Sequence, residues 1–143
     1  METDECGKGG YFMIKDRRLG HLGMASRDVD ATVAWYVDVL GFEKIGEFKA
    51  PNGNDIKFIR NKEGCIYEIF PSEDGEDAGA YGKIDHYCFE SEDVEKDYEY
   101  CLEQGYTITT EGIEELPGLW ERGVRFFKIG APTGQQVEFC QIL

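Results

Sequence analysis

The chain has 143 residues, of which 41% are hydrophobic and 13% aromatic, and its formal net charge is -14. This length and composition predict one domain with its own hydrophobic core. The acidic charge argues against nucleic acid and anionic membranes, which are bound by basic surfaces. No apolar run approaches the roughly 20 residues that span a bilayer. We therefore expect a globular domain that binds neither nucleic acid nor membrane.

The cysteine content predicts free thiols. The number of cysteines is odd and no CxxC pair occurs, so neither a disulfide framework nor a zinc ribbon is indicated. Free thiols are typical of a reducing compartment. The N-terminus carries Asp4 and Glu5 and has no apolar signal segment. We therefore predict a cytoplasmic location.

In chain order, residues 1–18 are predicted to be an N-terminal extension and residues 19–143 a single domain. Leu19–Ala25 alternates weakly, as a strand does, and the polar residues 26–28 offer N-caps for a helix that ends at Gly41. Three further strands, separated by turn residues, complete the first half; they are predicted at 42–48, 55–61 and 65–70.

The same order of elements returns after a Gly-rich acidic loop at 71–82. A strand at 84–90 precedes a helix from Glu92 to Gln104, which Gly105 ends. Three strands follow, at 106–110, 123–129 and 136–142. The chain thus contains two βαβββ modules, about 19–71 and 83–143. We predict an α+β fold in which the two modules form a curved mixed sheet around a metal-containing pocket.

Each half carries one histidine and one glutamate at matching places. The only two histidines, His21 and His86, lie in the first strand of each half. Glu68 and Glu138 lie within the apolar last strands, where an unpaired carboxylate is costly to bury. His21 precedes Glu68 by 47 residues, and His86 precedes Glu138 by 52. We predict that the four side chains face one cavity and bind one divalent cation, since imidazole and carboxylate suit such ions.

Four segments of the sequence look like those of a known superfamily. They are Gly20-His21-Leu22-Gly23-Met24, Trp35-Tyr36 through Leu40-Gly41-Phe42, Ile84-Asp85-His86, and Gly134 to Glu138. On these segments the chain resembles the vicinal oxygen chelate superfamily, which includes glyoxalase I, methylmalonyl-CoA epimerase, extradiol dioxygenases, and fosfomycin and bleomycin resistance proteins. The order His, Glu, His, Glu is similar to that of glyoxalase I.

This resemblance implies a metal-dependent lyase or isomerase that transfers a proton alpha to a carbonyl through a metal-bound enediolate. It implies that Glu138 is both ligand and base, with Glu68 as the second candidate, and that His21 and His86 are neutral ligands. The implied cofactor is one divalent ion, Ni or Zn first and Co, Mn or Fe as alternatives. The implied partners are a small-molecule substrate, such as a thiol hemithioacetal, and a second copy of the chain in a homodimer.

Two positions depart from glyoxalase I. Ala25 stands where that family often has an arginine that contacts the glutathione carboxylate, and Ser72 stands beyond Glu68, where an asparagine often helps to bind the thiol. The use of glutathione therefore stays open. A different thiol adduct or a substrate without a thiol fits the sequence as well.

Four residues are predicted to bind the substrate. Cys88 lies two residues from His86, and Cys140 lies two residues from Glu138, so each thiol shares a strand face with a ligand. Packing is the alternative role for both thiols. The other three substrate-binding candidates lie between the second helix and the last hairpin and could cover the pocket or hold an anion; they are Trp120, Arg122 and Arg125.

Two other functions remain open at this point. An Fe(II)-dependent ring-cleaving dioxygenase uses two histidines and one carboxylate, so the fourth predicted ligand counts against it. A small-molecule binding or resistance protein of the metal-free kind usually lacks the ligand set. An epimerase uses the same proton chemistry, although methylmalonyl-CoA epimerase usually has glutamine where Glu68 stands.

Overall fold

The computed structural model describes residues 13–73, 84–132 and 135–143. Two helices and eight strands follow one another along the chain. They are β1 (Leu19–Ser26), α1 (Val29–Leu40), β2 (Glu43–Lys49), β3 (Asp55–Arg60), β4 (Ile66–Pro71), β5 (His86–Glu90), α2 (Val94–Gln104), β6 (Glu114–Leu116), β7 (Val124–Gly130) and β8 (Gln136–Ile142).

Both helices end where the sequence predicts, and α1 also begins as predicted, whereas α2 begins at Val94, two residues after the predicted Glu92. The carboxylate of Asp28 accepts a hydrogen bond from the backbone N–H of Ala31 and caps α1, and Asp93 caps α2 in the same way. Each helix ends at a glycine in the left-handed conformation, with φ of 78° at Gly41 and 79° at Gly105. Neither helix of the described chain is long and apolar enough to cross a membrane.

The eight strands form one curled mixed sheet in the order β2-β3-β4-β1-β5-β8-β7-β6. Within each half the first strand pairs in parallel with the last, β1 with β4 and β5 with β8. The two halves join where β1 pairs antiparallel with β5. The predicted α+β fold of two βαβββ modules is confirmed, and the four central strands are the four that carry the predicted ligands.

The core is divided between the two faces of the sheet. Each helix packs on one face over its own half, so that Val33 lies against Ile59 and Ile69, and Val94 lies against Phe127 and Phe139. The opposite face holds a third cluster, which bridges the two halves and comprises Ile56, Phe58, Cys88, Leu119, Val124, Phe126 and Cys140. This inner face is the one that can enclose a site.

The strand predicted at 106–110 is wrong. Within that range only Ile108 forms a bridge, to Ile129, and the edge strand β6 forms farther on at Glu114–Leu116. The hydroxyl of Thr110 accepts a hydrogen bond from the backbone N–H of Lys128 and donates one to the carbonyl of Gly112. A side-chain oxygen thus takes the place of the backbone carbonyl that a continuing strand would offer to Lys128. The chain then turns at Gly112, whose φ is 72°.

The segment before β1 is held by a buried ion pair. Arg17, which lies within the predicted extension, donates two hydrogen bonds to the Asp97 carboxylate of α2, at 2.7 and 2.9 Å. Asp97 is only 1% exposed and also accepts a hydrogen bond from the Ser91 hydroxyl. The first twelve residues of the extension, most of the loop at 71–82 and the turn at 133–134 lie outside the described residues.

Candidate metal centre

The four predicted ligands meet on the inner face, at the junction of the two halves. Their ligand atoms all lie within 4.8 Å of one another. Strand pairing brings them together, because Gly23 of β1 lies opposite both His86 and Glu68, while Cys88 of β5 lies opposite both His21 and Glu138. His86, Glu68 and Glu138 are buried, with 2%, 8% and 6% exposure. One chain supplies the complete set.

The two imidazoles and the two carboxylates are in direct contact. Nε2 of His86 lies 3.0 Å from Oε1 of both Glu68 and Glu138. Nε2 of His21 lies 3.2 Å from Glu68 Oε1 and 3.6 Å from Glu138 Oε1, and the two Nε2 atoms are 3.4 Å apart. Nε2 of His86 forms a hydrogen bond with Oε1 of Glu68. Oε1 of Glu138 is buried and forms no well-aligned hydrogen bond among the described residues.

These contacts shift every pKa in the cluster towards the charged form. Burial by itself would lower the pKa of His21, but contact with Glu138 and Glu68 raises it to about 9. Burial would likewise lower the pKa of His86, but contact with Asp85, Glu138 and Glu68 raises it to about 11. Burial would raise the pKa of Glu68, yet the two histidines lower it to about 2, and they lower that of Glu138 as well. Without a cation, the cluster is thus a set of ion pairs.

The cluster fits a divalent cation. Zinc binds imidazole nitrogen and carboxylate oxygen at about 2.0–2.2 Å, which in a tetrahedral site places neighbouring ligand atoms about 3.3–3.6 Å apart. The separations found in this cluster, 3.0 to 3.6 Å, are close to that range. The buried Oε1 of Glu138 lacks a hydrogen bond, and burying such an atom without a partner is costly. A cation would satisfy it and balance the two carboxylate charges. The His2Glu2 set is therefore consistent with a divalent metal site.

His86 has a second partner that sequence reasoning gave no role. Its Nδ1 lies 2.9 Å from Oδ2 of Asp85, the residue just before it. Asp85 in turn accepts a hydrogen bond from the Gln136 amide at 3.3 Å and lies 3.9 Å from Nζ of Lys128. The Thr109 hydroxyl donates to Gln136 at 2.8 Å. A carboxylate that accepts the Nδ1–H leaves Nε2 free to bind a metal.

The ring of His86 lies in a space that a glycine keeps open. A methyl group at Gly23 would come 1.9 Å from Cε1 of His86. On its other side the ring stacks on Phe70, with a centroid distance of 5.8 Å and an interplanar angle of 9°. Gly23 belongs to the Gly20–Met24 segment of the superfamily resemblance, but its steric role required the strand register.

A cavity of about 120 Å³ opens beside the cluster. Three of the ligands, His21, Glu68 and Glu138, form part of its wall. The rest of the wall comes mainly from apolar side chains of strands β3 to β8 and of the turn after β6, with a glycine of β1 and one further carboxylate. These residues are Gly20, Phe58, Ile66, Cys88, Glu90, Leu116, Leu119, Trp120, Val124, Cys140 and Ile142.

The predicted substrate residues separate into two groups. Trp120 and Cys88 line the cavity, as does Cys140. Arg125 instead contacts Glu95 of α2 at 3.0 Å and Glu115 of β6 at 3.4 Å, and neither it nor the exposed Arg122 is among the described lining residues. The structure therefore places two of the four candidates at the cavity.

The thiols at the cavity wall are buried. The four described cysteines are free, and Cys88 and Cys140 are 2% and 9% exposed. Hydrogen bonding with Cys140 and burial raise the pKa of Cys88 well above the ordinary value. A thiol held protonated is a poor nucleophile and a poor metal ligand, so the packing role of Cys88 is favoured in the metal-free protein.

The two halves differ around their equivalent ligands. Glu68 lies opposite Phe58 of β3, whereas Glu138 lies opposite Lys128 of β7 at the matching register. Phe58 meets the His21 ring edge-on at a centroid distance of 5.2 Å and lines the cavity. Lys128 is directed towards Asp85. The strand beside Glu68 therefore presents an apolar ring that lines the cavity, whereas the strand beside Glu138 presents a charged side chain that is directed towards Asp85.

The family is decided by sequence comparison. The profile of the Glyoxalase/Bleomycin resistance protein/Dioxygenase superfamily matches residues 18–139. The chain belongs to this superfamily. The predicted resemblance is thereby confirmed. The four clustered residues occupy equivalent positions in the two paired modules of this superfamily fold.

Proteins that are similar in sequence or in fold match over nearly the whole chain. An uncharacterized protein of Bacillus subtilis (strain 168), YwbC, is 28% identical over 87% of this chain and 98% of its own length. A hypothetical protein from Bacillus halodurans C-125 has a TM-score of 0.70 at 22% identity, covering 90% of this chain and 96% of the other. Methylmalonyl-CoA epimerase from Mycobacterium tuberculosis has a TM-score of 0.69 at 17% identity, covering 92% and 93%. The structural likenesses bear on the fold alone.

Proposed function

We propose that this protein is a metal-dependent lyase or isomerase of the glyoxalase I type, which moves a proton from the carbon alpha to a carbonyl group to the carbonyl carbon. The observation that carries the proposal is the buried His2Glu2 cluster, whose ligand atoms lie within 4.8 Å of one another beside an apolar cavity. His21, Glu68, His86 and Glu138 would hold the ion. When bound, a divalent ion acts as a Lewis acid on an oxygen of the substrate.

Residues of the chain transfer the proton and exclude water. In a hemithioacetal, one carboxylate removes the proton from the carbon that bears the hydroxyl and sulfur and returns it to the neighbouring carbonyl carbon. The product is the thioester of a 2-hydroxy acid, with no atom gained or lost and no external oxidant. The apolar wall excludes water from this transfer.

Glu138 is our choice for the base, with Glu68 second. Oε1 of Glu138 lies 3.0 Å from Nε2 of His86 but makes no well-aligned hydrogen bond among the described residues, whereas Oε1 of Glu68, at the same distance, accepts one. Glu138 also lies farther from His21, at 3.6 Å against 3.2 Å. A carboxylate that the imidazoles hold less closely is freer to move between the ion and the substrate carbon.

Metal analysis and two matched variants test the proposal. Purified protein should contain about one divalent ion per chain, and His86→Ala should lose most of it. Glu138→Gln and Glu68→Gln both keep an amide oxygen at the ligand position. We expect Glu138→Gln to keep its metal and lose turnover of hemithioacetals and deuterium uptake from D2O, with a smaller loss in Glu68→Gln.

The substrate panel separates the alternatives. It contains hemithioacetals of methylglyoxal and phenylglyoxal with several thiols, methylmalonyl-CoA, and catechols under oxygen. Oxygen uptake with a catechol would replace the proposal with a dioxygenase. Full metal retention by His86→Ala would remove the metal site itself, and a protein that holds metal but turns over none of these compounds would be a binding protein.

A further inference from the structure

The cavity wall beside the metal centre is apolar and pre-formed. The Trp120 ring lies between Phe48 and Phe58, with centroid distances of 4.9 and 5.1 Å. Gly46 leaves room for this arrangement, because a methyl group there would lie 2.7 Å from the Phe48 ring and 3.2 Å from the Trp120 ring. Leu119, next to Trp120, is 4% exposed and belongs to the inner core. Such a wall binds an apolar group without first having to reorganise.

The charges at this wall have one sign. Its described residues include three carboxylates, Glu68, Glu90 and Glu138, and no lysine or arginine. A divalent ion would balance Glu68 and Glu138 only. Glu90, although exposed and 3.8 Å from Arg18, adds a further negative charge to this lining, which therefore offers an anionic ligand no cation among its described residues.

Three cations that neighbour lining residues in the sheet contact other groups. Arg125 contacts Glu95 and Glu115 at 3.0 and 3.4 Å. Nζ of Lys128 is directed to Asp85, and the exposed Arg18 lies 3.8 Å from Glu90. An anionic group inside the cavity would therefore be buried without a partner, which is costly.

From the size and charge of this wall, we propose that the substrate is an uncharged carbonyl compound whose apolar substituent, about the size of a phenyl ring, fills the cavity. The cavity volume of about 120 Å³ is near the roughly 150 Å³ of an engineered apolar cavity that binds benzene. Adducts of glutathione or coenzyme A, which carry carboxylates or phosphates, are poor substrates on this view. The inference rests on the proposed function, because it assumes that the reacting carbonyl meets a metal.

Three hydroxamic acids, which chelate metals through two oxygens, test the inference on cobalt-loaded protein. Cobalt content is measured first, and binding is then followed by the visible cobalt spectrum. Benzohydroxamic acid should bind at least about tenfold more tightly than acetohydroxamic acid, because its ring is buried. 4-Carboxybenzohydroxamic acid should bind at least about tenfold more weakly than the unsubstituted compound, because its carboxylate lacks a partner.

Two variants with the same change in net charge locate the effect. Glu90→Lys places a cation at the cavity wall and should remove the discrimination against the carboxylated compound. Glu103→Lys changes an exposed residue of α2 outside the cavity lining and should leave that discrimination unchanged.

The results separate this inference from the proposed function. Equal or tighter binding of the carboxylated compound, equal effects of the two lysine variants, or no hydroxamate binding to cobalt-loaded protein would each overturn the substrate class. Failure of the wild-type chain to take up cobalt or any other divalent ion would overturn the proposed function, and this is seen before any hydroxamate is added.

Discussion

Nδ1 of His86 lies 2.9 Å from Oδ2 of Asp85, although adjacent residues of a regular strand point to opposite faces. The contact forms because Asp85 lies just before β5, and its backbone N–H bonds to the carbonyl of Gly23. Asp85 is itself held by the Gln136 amide. The orientation of the imidazole is therefore fixed by a residue that does not touch the predicted metal position.

Replacing Asp85 with asparagine should weaken metal binding by about 10–100-fold, because partners that orient a ligating histidine have effects of that size. Affinity is measured by competition with a chelator at fixed pH. Asp55→Asn removes an exposed carboxylate that pairs only with lysine at the far edge of the sheet, and it should leave the affinity unchanged. Equal affinities of Asp85→Asn and the wild type would contradict the role of Asp85.

Substitution of Gly23 by alanine should destabilise the fold and disrupt the metal centre together. The added methyl would meet the His86 ring at 1.9 Å, and overpacking of this kind costs about 1–3 kcal/mol. Urea unfolding and metal content are the two measurements. Gly130→Ala is the control, because a methyl at that strand position meets only Thr109 Cγ2 at an ordinary 3.6 Å. A Gly23→Ala protein with normal metal content would show that His86 can lie elsewhere.

The metal-free protein should have a pH window of highest stability. Contact with the carboxylates, which outweighs burial, raises the pKa of His21 from 6.5 to about 9, so its contribution is complete below about 6.5 and is lost as the pH rises through about 9. The pKa of Glu68 is lowered from 4.5 to about 2, so its contribution is complete above about 4.5 and is lost as the pH falls through about 2.

Urea unfolding in EDTA across this pH range measures the effect, and His21→Gln should flatten its alkaline side. Metal affinity should change in the opposite sense and increase with pH, because the ion binds neutral imidazoles and displaces their protons. A metal-free protein whose stability does not fall between pH 6.5 and 9 would contradict the ion pairs described for the cluster.

The buried ion pair between Arg17 and Asp97 should make the segment before β1 part of the folded domain. Arg17→Met leaves the Asp97 carboxylate buried without its cation. Because burial raises the pKa of Asp97 to about 7, so that a proton can replace the cation, the variant should cost about 1–3 kcal/mol of unfolding free energy. Arg18→Met is the matched control, since Arg18 is 78% exposed and lies 3.8 Å from its partner, and its effect should stay within about 0.5 kcal/mol.

The double variant Arg17→Met/Asp97→Leu should recover much of the loss, because the unpaired charge is removed. Additive losses would show that the two residues act independently. A small effect of Arg17→Met alone would show that the Ser91 hydroxyl suffices to hold Asp97.

The ligands could be predicted from the sequence because the repeat places them. His21 and His86 lie near the start of equivalent strands, and each lies a similar distance before a glutamate in an apolar strand, so duplication of the module indicates a shared candidate site. The ends of the two helices could be predicted equally well, because Gly41 and Gly105 end them by a local rule that does not depend on tertiary structure.

The cavity wall and the edge strand could not be predicted in the same way. Residues 106–110 have the alternation of a strand, but the hydroxyl of Thr110 takes the N–H of Lys128 and ends the pairing. Trp120 reaches the cavity through a turn with positive φ values at Trp120 and Gly123, where no periodic pattern operates. Arg125 follows strand alternation away from the cavity towards α2, and only the register of β7 reveals that.

The different partners of Glu68 and Glu138 have a stereochemical consequence. Two histidines and two glutamates at equivalent positions would give a bound ion a nearly twofold surrounding, so these ligands alone would let a prochiral substrate bind in either of two senses. Phe58 opposite Glu68 and Lys128 opposite Glu138 remove that equivalence. In the proposed reaction, the handedness of the product would therefore be set by side chains that never touch the ion.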